Sequence, residues 1–141
     1  MQTKIAKEFS WEMSHRLPFH DGPCRNIHGH TYKSRLEISG ELNDESMVMD
    51  YYDIEQIVQP LLQRLDHSFL CDEKDSVMID FLKSQGFKYN VMHKHTTAEN
   101  ILDLFFNEFE PKFKLYKNIQ KLKIRIYETQ DVYAEREIEL K

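Results

Sequence analysis

Apolar and polar residues alternate near both ends of the chain, with the period of a half-buried β-strand. The alternating segments are residues 4–15, 28–41, 121–126 and 132–140. The last two are separated by a predicted turn near Gln130 and Asp131. We therefore expect one strand pair at each end of the chain.

The first two strands carry histidines on their apolar faces. His15 closes the first strand on the face of Ile5, Phe9, Trp11 and Met13. His28 and His30 share one face of the second strand with Tyr32, Ser34, Leu36 and Ile38. Because this face is the more apolar one, we expect both histidines to point toward the core.

The middle of the chain has helical periodicity. Over residues 51–65, apolar side chains recur every three or four positions, with Asp50 as the predicted N-cap. Pro60 is expected to kink this helix. Residues 75–85 predict a short helix that ends at Gly86.

A second long helix is predicted over residues 97–110, where Thr96 and Glu99 have the spacing of a capping box. The order β-β-α-(α)-α-β-β indicates an α+β fold, with a four-stranded antiparallel sheet and helices on one face. The edges of such an open sheet favour oligomerisation.

Length and composition suit a single globular domain, since the chain has 141 residues, of which 40% are hydrophobic and 30% charged. Nineteen basic and 24 acidic residues give a net charge of −5, which argues against nucleic-acid binding. No apolar run approaches the roughly 20 residues of a membrane span. Residues 1–7 lack the apolar segment of a secretory signal, and two cysteines, Cys24 and Cys71, are too few for a disulfide framework. We expect a cytoplasmic protein with reduced thiols.

The strongest candidate for chemistry is the set His15, His28 and His30. Two histidines at i and i+2 place their rings side by side on one strand face, and the third ends the adjacent strand. Three protein ligands and an open position are typical of catalytic zinc. Each could instead be an ordinary core or surface histidine, and His20 in the following loop could replace one of them.

Cys24 lies four residues before His28. It could be a fourth zinc ligand, a nucleophile or base whose thiolate Zn²⁺ and Arg25 would favour, or an ordinary small buried side chain. Cys71 has no such neighbours and is interpreted as structural.

Asp66 and His67 follow the first helix. A carboxylate beside an imidazole can orient it for acid/base work, although adjacent helical residues do not face each other. The alternative is a histidine that the helix dipole favours.

Glu128 ends the apolar row of the third strand. One interpretation is that Glu128 forms a salt bridge or is exposed at the strand end. The other is that it anchors a ligand by accepting two parallel N–H bonds, and the amino-pyrimidinone edge of a pterin or guanine offers such a pair of donors. The basic cluster at residues 93–95 could receive phosphate, but more often such a cluster is a solvated loop.

Together these residues resemble the 6-pyruvoyltetrahydropterin synthase and 6-carboxytetrahydropterin synthase family. The resemblance covers nearly the whole chain, and its motifs stand at residues 9–17 (FSWEMSHRL), 24–30 (CRNIHGH), 47–51 (MVMDY), 65–67 (LDH), 97–100 (TAEN) and 127–129 (YET).

The resemblance implies the tunnelling fold (T-fold) over residues 1–141, a four-stranded antiparallel sheet with two long helices inserted between its second and third strands. It further implies barrels formed by trimers, assembled as a dimer of trimers, with active sites between subunits. The family's zinc ligands correspond to His15, His28 and His30.

Its catalytic cysteine corresponds to Cys24, and its Asp-His pair, presented by a neighbouring subunit, to Asp66 and His67. Its pterin anchor corresponds to Glu128, and Thr97 and Glu99 fall where the family lines the pterin pocket. Candidates for holding phosphate are Arg16, Lys94 and His95.

The family substrate is 7,8-dihydroneopterin triphosphate. The short spacing from Cys24 to His28 resembles that of the bacterial carboxy-pterin enzymes, so we expect 6-carboxytetrahydropterin, acetaldehyde and triphosphate as products, on the way to queuosine. The alternatives are the pyruvoyl-forming synthase, a relative that trims or epimerises the side chain, and a non-catalytic zinc- or pterin-binding module in which Cys24 is the fourth ligand.

Overall fold

The structure, a computed structural model, describes residues 1–141. Its strands are β1 (Thr3–His15), β2 (His28–Gly40), β3 (Ser68–Asp72), β4 (Tyr89–Met92), β5 (Ile119–Tyr127) and β6 (Tyr133–Glu139). Its helices are α1 (Tyr51–Leu65), α2 (Ser76–Gln85) and α3 (Ala98–Phe113), and a 3₁₀ turn covers Pro23–Arg25. Each of the predicted strands and helices is present.

The sheet has six strands in the order β4-β3-β1-β2-β5-β6. The neighbours among β1, β2, β5 and β6 pair antiparallel, whereas β3 pairs parallel with both β1 and β4. The predicted four-stranded antiparallel sheet was therefore wrong, since the sheet is mixed and the segment between β2 and β5 contributes two further strands. All five residues of β3 are buried, so this strand lacks the alternation that revealed β1, β2, β5 and β6.

Helices α1 and α3 cover one face of the sheet and enclose the main core. Tyr32, Leu36 and Ile38 of β2 are fully buried there, together with Ile54 of α1 and Phe105 of α3. The face of β2 that carries His28 and His30 is thus the core face, as predicted.

Helix α2 packs against the opposite face, so the prediction that the helices lie on one face was wrong for this helix. Phe69 and Cys71 of β3 form a separate apolar cluster with Met78 and Leu82 of α2, whereas Leu70 joins the main core. Successive strand residues point to opposite faces, so the unit β3-α2-β4 places its helix across the sheet from α1 and α3.

The helix ends follow the predicted signals with one exception. Asp50 caps α1 by accepting from the Tyr52 N–H, and Gly86 ends α2 with a φ of 70°. Helix α1 continues through Pro60 to Leu65. No helix combines the length and apolar character that crossing a membrane requires.

The exception is α3, where the predicted capping box was wrong. Thr97 is the N-cap and accepts from the Asn100 N–H at 3.2 Å, so the cap lies one residue after Thr96. Thr96 is fully buried, and its hydroxyl contacts His15 instead.

Candidate active site

Three imidazoles meet where β1 ends and β2 begins. The antiparallel register places His15 opposite His28 and Met13 opposite His30. One ligand atom from each histidine lies within 4.8 Å of the other two, and the Nε2 atoms of His15 and His30 are 3.3 Å apart. The predicted three-histidine group is therefore present, and its geometry could hold one metal ion.

Backbone carbonyls orient two of these rings. The Nδ1 atom of His15 donates to the carbonyl of Thr96 at 2.8 Å, and the Nδ1 atom of His28 donates to that of Asn26 at 2.7 Å. Because the proton sits on Nδ1, the Nε2 lone pair of each ring is free for a metal. Outer hydrogen bonds of this kind are typical of metal-binding histidines.

Burial favours the uncharged form of two of these rings, His15 and His30. His15 is 1% exposed, and its removal from water, helped by the charges of His28 and His30, lowers its pKa to about 4. Burial and the charge of His28 also lower the pKa of His30. Neutral imidazole is the form that binds a metal, so the donor set fits a borderline divalent ion such as zinc.

Cys24 and His20 lie near this group in sequence but outside it. Cys24 is half-buried in the 3₁₀ turn, and its thiol does not belong to the set of atoms within 4.8 Å. The His20 ring accepts from the Gly22 N–H at 2.8 Å within its own loop. Neither side chain fills a fourth ligand position here.

Asp66 and His67 form a pair because α1 has ended. His67 has a left-handed φ of 57°, and its Nδ1 lies 2.9 Å from the Asp66 carboxylate. The Glu12 N–H donates to Asp66 at 2.8 Å, and with His67 it lowers the pKa of that carboxyl. The His67 side chain is 76% exposed and lines a cavity of about 660 Å³ beside α2, so the second ring nitrogen is available to another molecule.

Glu128 follows directly after β5 and shares a smaller cavity, of about 290 Å³, with Thr97 and Glu99. Its carboxylate lies 3.9 Å from the Nε2 atom of His30. Burial and the charge of Glu99 raise the pKa of Glu128. A molecule held by this carboxylate therefore lies next to the three histidines.

Comparison of the sequence with known families identifies the family to which the chain belongs. Residues 4–139 match the model of the family described as 6-pyruvoyl tetrahydropterin synthase. The chain belongs to this family.

Two bacterial relatives carry a more specific name. The protein named 6-carboxy-5,6,7,8-tetrahydropterin synthase from Haemophilus influenzae is 38% identical over 140 residues, which cover 94% of this chain and 96% of the relative. A protein of the same name from Aquifex aeolicus is 28% identical over 96% of this chain and 98% of its own length.

Solved structures share the fold at lower identity. The 6-pyruvoyl tetrahydropterin synthase of Plasmodium vivax superposes with a TM-score of 0.75 at 16% identity, over 99% of both chains. A Wolinella succinogenes protein described as uncharacterized superposes with a TM-score of 0.82 at 18% identity, over 96% of this chain and 98% of the other.

Within this family fold, the three candidates for holding phosphate already have acidic partners. Arg16 pairs with Asp75, Lys94 with Asp103 and His95 with Asp72. The charges of Arg16 and Lys94 are therefore paired inside the chain, and the His95 ring is held by a hydrogen bond to Asp72.

No sequence pattern marks the contacts that orient the rings. Asn26 acts on His28 through its carbonyl, so its side chain gave no signal. Thr96 lies 81 residues from His15, and its spacing to Glu99 predicts a helix cap instead. The partner of Arg16, Asp75, lies in a segment that matches no motif.

Proposed function

We propose that this protein is a 6-carboxy-5,6,7,8-tetrahydropterin synthase, a zinc-dependent lyase that converts 7,8-dihydroneopterin triphosphate to 6-carboxytetrahydropterin, acetaldehyde and triphosphate. The observation that carries the proposal is the group of three imidazoles, one of which, His30, lies 3.9 Å from Glu128 in the adjoining cavity. The choice of product follows the names of the bacterial relatives and the short spacing from Cys24 to His28.

His15, His28 and His30 would hold zinc through their Nε2 atoms. A bound zinc ion supplies Lewis acidity at the oxygens of the substrate side chain. The Cys24 thiol supports an open ligand position because it lies outside the histidine group. This placement favours a catalytic site over a binding module in which the thiol completes the coordination.

Glu128 would orient the pterin ring. Its carboxylate can accept two parallel N–H bonds from the amino-pyrimidinone edge, with Thr97 and Glu99 on the same cavity wall. Anchoring the ring there directs the side chain toward the histidines, which are 3.9 Å away at His30 Nε2. Holding the reacting carbons in one place supplies part of the rate enhancement.

Proton transfer would involve two further groups. The Cys24 thiolate would move a proton at the substrate side chain, and His67, oriented by Asp66, would act as the second acid/base. The exposed His67 ring is suited to reach the site of a neighbouring subunit, which supports an assembly with active sites between subunits, as in a dimer of trimers. In the cell, the proposed place of the enzyme is the cytoplasmic route to queuosine.

Product analysis tests this function. The zinc-loaded protein is incubated with 7,8-dihydroneopterin triphosphate, the pterins are identified by mass, and acetaldehyde is measured with a coupled alcohol dehydrogenase. We expect 6-carboxytetrahydropterin and acetaldehyde in equal amounts. A pyruvoyl product without acetaldehyde would assign the alternative synthase, and an unchanged substrate would favour the binding module.

A further inference from the structure

Two buried carboxylates, one at the end of β3 and one at the start of α2, hold residues that flank the His15–Thr96 hydrogen bond. Asp75 binds Arg16, the residue after His15, and Asp72 binds His95, the residue before Thr96. Asp72 ends β3 and Asp75 is the N-cap of α2, in a unit that the proposed mechanism does not use.

The bond between Arg16 and Asp75 is bidentate. Nε and Nη2 of Arg16 each donate to one carboxylate oxygen of Asp75 at 2.7 Å. The Asp75 side chain is only 3% exposed. A carboxylate buried to this degree is stable only with a well-placed partner, and the two parallel bonds fix the position of the Arg16 backbone.

The second buried carboxylate, Asp72, is likewise paired, here with His95. Nδ1 of His95 lies 2.6 Å from Oδ2 of Asp72, and the Phe19 ring lies 4.4 Å from the His95 ring, centroid to centroid. The Asp72 side chain is also 3% exposed. The loop that carries Thr96 is thus tied to the end of β3.

Both carboxylates are themselves fixed by the backbone. The Lys74 N–H donates to Asp72 at 2.9 Å, and the Asp75 carboxylate caps α2 by accepting from the Met78 N–H. The Asp75 N–H donates to the Asp72 carbonyl at 3.0 Å, which closes the turn between them. A rigid turn therefore holds two separate parts of the chain at a set distance.

His15 and Thr96 meet between these two attachments. Nδ1 of His15 contacts both the carbonyl and the hydroxyl of Thr96, at 2.8 and 3.1 Å. The Thr96 hydroxyl also donates to the Arg16 carbonyl at 3.4 Å. These hydrogen bonds and the peptide bonds of the neighbours His95–Thr96 and His15–Arg16 close a ring that also includes Asp75 and Asp72.

We propose that Asp72 and Asp75 are positioning residues for the metal ligand His15, because through Arg16 and His95 they hold the strand end and the loop between which the His15–Thr96 hydrogen bond forms. This inference rests on the proposed metal site. It gives the β3-α2-β4 unit a role in the site without any contact to substrate. Removing an outer hydrogen-bond partner of a metal-binding histidine typically lowers metal affinity about 10- to 100-fold.

The test compares Asp75→Asn and Asp72→Asn with the matched control Glu73→Gln. Glu73 lies between the two aspartates and pairs with His93 at 2.6 Å, but that pair is exposed and does not flank Thr96. Asparagine is also a good N-cap, so D75N keeps the start of α2. Zinc affinity is measured by competition with a chromophoric chelator, and the His15 Nδ1–H signal is followed by ¹⁵N NMR in the metal-free protein.

We expect about a 10-fold loss of zinc affinity in D75N and D72N, and faster solvent exchange of the His15 Nδ1 proton, with E73Q unchanged on both measures. Affinity and exchange in both aspartate variants equal to those of E73Q would overturn the proposal. If D75N fails to fold, Arg16→Gln breaks the same link while leaving Asp75 as the cap. A wild-type protein that binds no zinc would refute the metal site, whereas the proton exchange in metal-free protein still decides the role of the aspartates.

Discussion

The imidazole of His15 donates to the backbone carbonyl of Thr96 across 2.8 Å, although the two residues lie 81 positions apart. This bond sets the tautomer of a ring that is almost fully buried, and it leaves Nε2 facing His30 at 3.3 Å. The ring is therefore fixed as a neutral ligand before any metal arrives.

The first prediction concerns the pH dependence of the metal-free protein. The pKa of His15 is about 4 in the fold and about 6.5 in the unfolded chain, so the unfolded state binds the extra proton between these values. The free energy of unfolding should then fall by about 3 kcal/mol as the pH drops from 6.5 to 4, and level off below. Urea unfolding of zinc-free protein across this range measures the slope.

The variant His15→Gln tests whether His15 causes this dependence of the free energy of unfolding on pH. It cannot titrate, so it should lose most of the pH dependence, and His30 should account for a smaller remainder because burial also lowers its pKa. An equal slope in His15→Gln and wild type would show that His15 is not the group responsible.

The second prediction concerns the number of metal ligands. His30→Ala should lower zinc affinity by more than about 100-fold, since loss of a ligand exceeds the effect of losing an outer partner. His20→Ala should bind zinc like wild type because its ring contacts only its own loop. The zinc content per chain of each variant is measured by elemental analysis after dialysis. Zinc retained in His30→Ala and lost in His20→Ala would place the metal site in the loop that carries His20.

The third prediction concerns the two thiols. Cys24→Ala should keep one zinc per chain while turnover falls by about 10²- to 10⁴-fold, the usual contribution of a proton-transfer group. Loss of zinc together with turnover would instead identify Cys24 as a ligand.

Alkylation distinguishes the same thiols in the native protein. Cys71 is fully buried, and burial together with Asp75 and Asp72 raises its pKa to about 11. Iodoacetamide should therefore modify Cys24 alone, and both residues after unfolding. Mass spectrometry gives the count, and modification of Cys71 in the folded protein would contradict its structural role.

The fourth prediction concerns Glu128. Its raised pKa means that the folded state holds the carboxyl proton more tightly than the unfolded state, so ionisation at neutral pH destabilises the fold. Glu128→Gln should raise the Tm of metal-free protein at pH 7, and the gain should vanish below the ordinary pKa of a glutamate. The same variant should raise KM at least about 100-fold, because two charge-assisted hydrogen bonds to the ring are lost.

Glu99→Gln is the comparison for this effect. It relieves the repulsion between the two carboxylates but not the burial of Glu128, so its Tm gain should be smaller. A lower Tm in Glu128→Gln at pH 7 would mean that Glu128 stabilises the fold, as a simple paired residue would.

Sequence patterns predicted the elements whose two faces differ. Ile124 and its alternating neighbours revealed β5, and the apolar stripe of α1 revealed that helix with the observed bounds. Strand β3 was not predicted because both of its faces are buried, one by α2 and one by the main core, so its sequence does not alternate. Its parallel pairing depends on contacts that no local pattern contains.

Some residues of the candidate site could also be predicted from sequence patterns, and others could not. The sequence predicted the group His15, His28 and His30, because strand alternation and one antiparallel pairing place the three residues on a common face. Thr96 and Asp75 could not, since their partners depend on how distant segments pack. The two adjacent threonines could both serve as a cap, and only the burial of Thr96 against His15 decides between them.

X-ray absorption spectroscopy at the zinc edge of the resting, zinc-loaded protein tests the central claim most directly, because Zn–N and Zn–O distances of about 2.0–2.1 Å are separable from Zn–S at about 2.3 Å. We predict three imidazole nitrogens and one oxygen, no sulfur, and an unchanged spectrum in Cys24→Ala. A sulfur shell in the wild type that disappears in Cys24→Ala, or fewer than three imidazoles, would contradict a catalytic centre with an open position.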